Sequence, residues 1–147
     1  MSPAKKPLQN SICLIPSPLP GQAPSTTKSF AITIYDPDAP TGGGWWHWVA
    51  FNIPAGTTSL PKGAGDVKKN LMPQGATQSR NSFGSDGYGG PCPPPGDKPH
   101  HYQITVFAVD VEKLPDAKNA AASAALVGSA LKSHTLAKAT LTGLYGR

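Results

Sequence analysis

The stretch YDPDAPTGGGWWHWVAFNIPAG (residues 35–56) joins the end of one apolar segment to the start of another through a loop rich in proline and glycine. On its N-terminal side, residues 29–35 (SFAITIY) alternate, with Phe30, Ile32 and Ile34 on one face. A period of two over this length predicts a β-strand. On the other side, residues 45–53 are aromatic and β-branched, which predicts a second strand.

Two more elements complete the predicted architecture. Residues 102–111 (YQITVFAVDV) alternate most regularly and predict a third strand. Residues 117–142 are rich in alanine, and their apolar positions recur at helical spacing, so we expect a helix that Asp116 caps and in which His134 packs against the core. Because strands precede the helix, the order does not fit an alternating β/α fold. The sequence therefore predicts a mainly β domain.

The composition fits a single domain and excludes several classes of protein. The chain has 147 residues and a formal charge of +5, but the basic residues are scattered and form no stripe of the kind that binds nucleic acid. No stretch approaches the ~20 apolar residues of a membrane span. Residues 12–15 are too few for the apolar part of a signal peptide, and prolines follow at once, so we predict a cytoplasmic protein.

The sequence also suggests how the chain is divided. Residues 1–22 are dense in proline, which neither a helix nor a central strand tolerates, so we predict a loosely ordered arm there and a folded domain over 23–147. Residues 56–100 form a long irregular region, which in a compact domain is usually functional or disordered. The two cysteines, Cys13 and Cys92, are too few to imply a disulfide framework.

A group of polar residues is expected to form a pocket at the strand ends. Alternation within a strand turns His47 away from Trp46 and Trp48, and it places His100 and Tyr102 on one face, with His101 exposed on the other. Asp36 and Asp38 follow the first strand and are held by prolines. A carboxylate raises the pKa of a neighbouring histidine, and a cationic imidazole beside loop amides accepts phosphate or carboxylate oxygens. The pattern therefore predicts an anion-binding pocket.

These residues carry a resemblance to a known family. Residues 35–56, residues 88–114 (YGGPCPPPGDKPHHYQITVFAVDVEKL) and residues 134–147 (HTLAKATLTGLYGR) resemble the phosphatidylethanolamine-binding protein family, and the Trp-Trp-His-Trp wording is most similar to its bacterial branch. The resemblance implies an antiparallel, Greek-key β-sandwich with a C-terminal helix. It also implies binding of phosphate or a phospholipid head group, and in some members the inhibition of a protein kinase or a protease. Carried over position by position, it implies a ligand pocket formed by Asp36, Asp38, Pro40, His47, Pro94, His100 and Tyr102.

Two alternatives stay open beside a non-catalytic binding protein. The Asp and His cluster also suits a metal-dependent hydrolase, although no HExxH-type spacing is present and we expect neither a catalytic metal nor a cofactor. A purely structural domain is the other alternative, if the divergent first 22 residues have closed the pocket. An uncovered edge strand at that end would invite pairing with a second copy of the chain, so self-association as a homodimer is a further expectation.

Overall fold

The computed structural model describes residues 11–13, 23–40, 43–90, 95–115, 117, 119 and 121–145. Within them the chain forms seven strands and one α-helix: β1 Ser11–Cys13, β2 Ser29–Asp36, β3 Trp45–Pro54, β4 Ser59–Pro61, β5 Thr77–Gln78, β6 His100–Val109, α1 Ala124–His134 and β7 Thr135–Tyr145. A single 3-10 turn lies at Val67–Lys69. No helix in the described ranges is both long enough and apolar enough to cross a membrane.

The strands form two antiparallel sheets. The larger has five strands in the order β5-β3-β2-β6-β7, and the smaller pairs β1 with β4. The three predicted strands are thus the three central strands, with β2 between β3 and β6. The predicted class, an antiparallel β-fold with a helix near the C-terminus, is confirmed.

Strands β2 and β3 of the five-stranded sheet are buried on both faces, whereas β7 is largely exposed. Ala31, Val49 and Phe51 form one core with the α1 residues Val127 and Leu131. On the opposite face, side chains of β2, β3 and β6 pack with residues of β4 and the loop that follows it. This cluster contains Phe30, Ile32, Trp48, Ala50, Ile53, Leu60, Ala64 and Ala108. Each large side chain removed from water in this way contributes about 1.5–3 kcal/mol. We call these the helix face and the loop face of the sheet.

Strand β3 contains two extra residues relative to β2. Phe30 pairs with Ile53 but Ile32 pairs with Ala50, and Ile34 pairs with Trp48 but Tyr35 pairs with Trp46. Each shift is a β-bulge, which bends a strand and redirects its side chains. The second bulge makes His47 the unpaired residue. It also places Trp46 against the helix-face core and Trp48 in the loop-face core, so the prediction that both tryptophans share a face is wrong.

The predicted helix over 117–142 is wrong at both ends. Helix α1 begins at Ala124, where Ser123 accepts a hydrogen bond from the backbone of Leu126, and it ends at His134. Residues 135–145 are strand β7 and pair with β6 along its whole length. Tertiary pairing here overrides the local preference of alanine, and three threonines make the segment equally acceptable as a strand. The predicted cap, Asp116, lies outside the described residues.

His134 is the last residue of α1, so the prediction that it is a helix residue is confirmed. Its Nδ1 donates to Asp110 Oδ1 at 2.8 Å, and it is half-buried. Of residues 1–22, the structure describes only 11–13, as strand β1. The boundary between a loosely ordered arm and a domain therefore stays a prediction.

Candidate functional site

The candidate site begins at the bulge in β3. His47 is the extra residue there, it is buried, and its ring lies 5.2 Å from the ring of Tyr102 on β6. Tyr102 has the same parity along β6 as Ile104, Val106 and Ala108, which pack in the loop-face core. The site therefore lies on the loop face, on the side of the sheet opposite the helix.

The ring of His47 is held by the backbone of the loop before β6. Its Nδ1 donates to the carbonyl oxygen of Gly89 at 2.8 Å, and the Gly89 amide donates back to the His47 carbonyl at 2.8 Å. A carbonyl can only accept, so the Nδ1 hydrogen is fixed and Nε2 is the nitrogen left for a ligand. Neutral His47 accepts a hydrogen bond at Nε2, and protonated His47 donates one to an anion.

Gly89 has no room for a side chain. A Cβ at this position would lie 2.5 Å from the ring of Phe83, closer than packed carbon atoms approach. The Phe83 ring in turn lies 5.6 Å from that of His47 and 5.2 Å from that of Trp45, edge-on to both. Glycine therefore lets one backbone carbonyl and one aromatic ring close on His47 together.

His100 lies between two carboxylates of different character. Its Nδ1 donates to Asp36 Oδ2 at 2.7 Å, and both of these side chains are buried. Its Nε2 donates to Asp97 Oδ2 at 3.3 Å, and the side chain of Asp97 is 43% exposed. The hydrogen bond to Asp36 raises the pKa of His100 above its ordinary value, against the opposing effect of burial. The pocket thus contains a buried imidazole that favours its cationic form.

Asp38, the second aspartate of residues 36–40 (DPDAP), binds His101. Oδ2 of Asp38 accepts from the backbone N–H of His101 at 2.7 Å and from its Nδ1 at 2.6 Å. The hydrogen bond from this backbone N–H lowers the pKa of Asp38 below its ordinary value. Both side chains are exposed, and the exposed position expected for His101 is confirmed. Asp36 and Asp38 are tied together at the strand end, because the Asp38 amide donates to Asp36 Oδ1 at 2.9 Å.

The predicted site residues therefore separate into two groups. Asp36, His47, His100 and Tyr102 lie together, with the rings of His100 and Tyr102 stacked at 6.5 Å. Asp38 is directed toward His101, Pro40 is exposed in the loop after β2, and Pro94 lies outside the described residues. In the described ranges, no group of three or more His, Cys, Asp or Glu side chains could hold a metal ion.

Sequence reasoning missed three members of the site. Gly89 and Phe83 lie in the irregular region, where no periodicity links a residue to a particular strand. Asp97 gave a usable signal, since it stands three residues before His100 at the entry to β6. An acidic residue at that distance across a turn can reach the histidine ring.

Comparison with known proteins gives consistent results over most of the chain. Residues 18–146 match the phosphatidylethanolamine-binding protein family. The UPF0098 protein YbcL of Escherichia coli is 55% identical over 122 residues, which are 83% of this chain and 66% of that protein. The UPF0098 protein YbhB of the same organism is 48% identical over 122 residues, which are 83% of this chain and 75% of that protein. The chain thus spans about two thirds to three quarters of the length of these curated relatives.

Two solved structures resemble the fold described above. The crystal structure of E. coli YbcL, described as a new member of the mammalian PEBP family, superposes with a TM-score of 0.79 at 47% identity and covers 94% of this chain and 81% of that one. The homologue CT736 of Chlamydia trachomatis superposes with a TM-score of 0.69 at 30% identity, covering 85% of this chain and 76% of that one.

Proposed function

The chain belongs to the phosphatidylethanolamine-binding protein family, and from that premise we propose that it is a non-catalytic binding protein whose pocket takes a phosphate-like anion. The anion is either a free phosphate or the head group of a phospholipid. It would contact His47 Nε2 and His100 Nε2, the two ring nitrogens that are not bonded to Gly89 and Asp36.

One observation supports this proposal most directly. His100 is buried, yet it favours its cationic form because Asp36 accepts from Nδ1. The other nitrogen has only a long contact to an exposed carboxylate, Asp97, which can turn away into solvent. A buried cation with one replaceable partner is suited to receive an anion, because a charge-assisted hydrogen bond is about twice as strong as a neutral one.

We propose from the family that anion binding serves a regulatory function, such as inhibition of a protein kinase or a protease. We also propose, from the sequence, that the protein acts in the cytoplasm. The alternative of a metal-dependent hydrolase gains no support from the family, and we do not propose it.

Calorimetric titration with inorganic phosphate and with phosphoethanolamine tests the pocket. We expect His47→Ala to weaken binding by roughly tenfold to a hundredfold, because the loss of one charge-assisted partner costs about 1.5–3 kcal/mol. His101→Ala is the matched control and should bind like the wild type, since its ring is exposed and engaged with Asp38.

The same titration at pH 6 and pH 8 adds a second criterion. Binding should weaken at the higher pH, because the raised pKa of His100 keeps its ring cationic at lower pH and this charge is lost as the pH rises through the folded value. Equal affinities of the wild type and His47→Ala, or a larger loss from His101→Ala than from His100→Ala, would contradict the proposal. Phosphoethanolamine binding tighter than phosphate would favour the phospholipid head group.

A further inference from the structure

A second cavity lies on the helix face of the sheet, away from the pocket around His47. Its volume is about 500 Å³, within the range of roughly 300–1,000 Å³ that small-molecule sites occupy. The cavity lies between α1, the central strands and the start of β7. The family pocket lies on the loop face, so the sheet itself separates the two.

The walls of this helix-face cavity are mostly apolar. Trp46 and Val49 on β3 and Phe107 on β6 contribute from the sheet, and Val127 and Leu131 contribute from α1. Val49, Val127 and Leu131 are also members of the helix-face core, so the floor is continuous with packed and rigid structure. The cavity would therefore accept the apolar body of a ligand.

The charged side chains that line the cavity all carry the same sign. They are Lys132, in the last turn of α1, and Lys138 on β7, and among the described residues no carboxylate lines the cavity. Lys138 pairs across the sheet with Phe107, which places its side chain on the same face as that wall. Neither lysine forms an ion pair within the described part of the chain. An apolar cavity beside two lysines without an ion pair is complementary to an anion with an apolar body.

Gly128 provides an independent observation. It lies in the middle of α1 and lines the cavity, and glycine destabilises a helix interior relative to alanine. Nothing in the packing requires it, since a Cβ built there would meet no atom within 4 Å, and its φ is not positive. The glycine thus weakens the helix without relieving any contact. Its effect is to leave open the space into which a side chain would project.

We propose that this helix-face cavity binds a small organic anion with an apolar body, of the class of medium-chain or aromatic carboxylates. The apolar part lies against Trp46, Val49 and Val127, and the carboxylate lies between Lys132 and Lys138. The site does not depend on the phosphate pocket, because it shares no residue with it and lies across the sheet.

Octanoate is a suitable probe, and 1-octanol is its uncharged counterpart. We expect calorimetry to show saturable octanoate binding that is at least tenfold tighter than octanol binding, because only the carboxylate forms charge-assisted contacts with the lysines. Amide chemical shifts should change along α1 and the start of β7. Binding of octanol as tight as that of octanoate would overturn the proposed role of the lysines.

Three variants locate the site. Gly128→Leu should fill the cavity and abolish octanoate binding, whereas Ala125→Leu, on the same helix but outside the cavity lining, should not affect it. The double variant Lys132→Gln/Lys138→Gln should weaken octanoate binding about tenfold and bring it toward that of octanol. His47→Ala should leave octanoate binding unchanged, and Gly128→Leu should leave phosphate binding unchanged.

The proposal is overturned if octanoate does not bind, or if Gly128→Leu binds it like the wild type. It is also overturned if His47→Ala abolishes octanoate binding, because the ligand would then occupy the loop-face pocket. Loss of phosphate binding with intact octanoate binding would contradict the proposed function and leave this inference standing.

Discussion

At the scale of single residues, the two buried histidines differ in what their ring nitrogens already bind. His47 is oriented by a neutral backbone carbonyl, which fixes a hydrogen but adds no charge. His100 is oriented by the buried carboxylate of Asp36, which favours the imidazolium. Asp97 lies on the other ring nitrogen, so protonated His100 carries one positive charge between two carboxylates. An anion can take a place at His100 only when Asp97 withdraws.

Asp97 should therefore compete with the ligand. We expect Asp97→Asn to bind phosphate more tightly, by up to about fivefold, because a partly exposed ion pair contributes at most about 1 kcal/mol. Asp110→Asn is the matched control, since Asp110 is a similarly exposed carboxylate on the ring nitrogen of a different histidine, His134. Calorimetry that finds Asp97→Asn weaker than the wild type would show that Asp97 assists the ligand instead.

The pair formed by His100 and Asp36 should make stability depend on pH. The pKa of His100 is raised in the folded state above the unfolded value of about 6.5. Its protonation therefore stabilises the fold fully below that pH, and this contribution is lost as the pH rises through the folded value. We expect His100→Asn to lower the free energy of unfolding by about 3 kcal/mol at pH 6, because Asp36 is left buried without a cationic partner, and by less at pH 9.

Urea unfolding at several pH values measures this difference. His101→Asn is the control, because its exposed pair with Asp38 should contribute little at any pH. A difference between the wild type and His100→Asn that stays constant from pH 6 to pH 9 would contradict the titration of His100.

At the scale of elements, strand β3 is shaped by its two bulges. The first contains Asn52, which is buried and has a φ of 56°, in the left-handed region that non-glycine residues rarely adopt. Its side-chain oxygen accepts from the backbone N–H of Leu114 at 2.8 Å. This hydrogen bond fastens the segment after β6 to the far end of β3, while the second bulge directs His47 into the pocket.

Substitution of Asn52 separates the contribution of its hydrogen bond from that of its left-handed backbone conformation. Asn52→Ala should destabilise the fold by about 2–4 kcal/mol, because it leaves the buried Leu114 amide unsatisfied and puts alanine in a left-handed conformation. Asn52→Gly loses the same hydrogen bond but tolerates the backbone, so it should be about 1 kcal/mol more stable than Asn52→Ala. Urea unfolding compares them, and a glycine variant no more stable than the alanine variant would contradict the argument from φ.

At the scale of the whole molecule, the sequence predicted the three central strands, because alternation and β-branched or aromatic residues are typical of strands. It also predicted that Asp36, His47, His100 and Tyr102 meet, because the family motifs place them at adjoining strand ends. It could not place the bulge at His47, since one extra residue leaves no mark in the composition. It also misjudged β7, because an alanine-rich segment becomes a strand only through its pairing with β6.

Strand β7 at the edge of the larger sheet predicts that the protein self-associates. It is the outermost strand of the larger sheet in the described part of the chain, and Leu141 and Leu144 are 70% and 66% exposed. An apolar edge of this length invites a second strand. We expect a homodimer in sedimentation experiments at high concentration, which Leu141→Lys/Leu144→Lys converts to a monomer. Leu126→Lys, at an exposed leucine of α1, should leave it unchanged. A wild-type protein that stays monomeric at every concentration would contradict the prediction.

The bulge at His47 also bears on how the binding site could be lost in evolution while the fold is retained. Without that one residue, Trp46 and Trp48 would succeed each other in the register that pairs them with Tyr35 and Ile34, and the ladder between β2 and β3 would run on uninterrupted. An in-frame loss of a single codon would then remove the histidine and its bond to Gly89 while leaving the sheet in place. A single deletion could therefore retain the fold and abolish ligand binding.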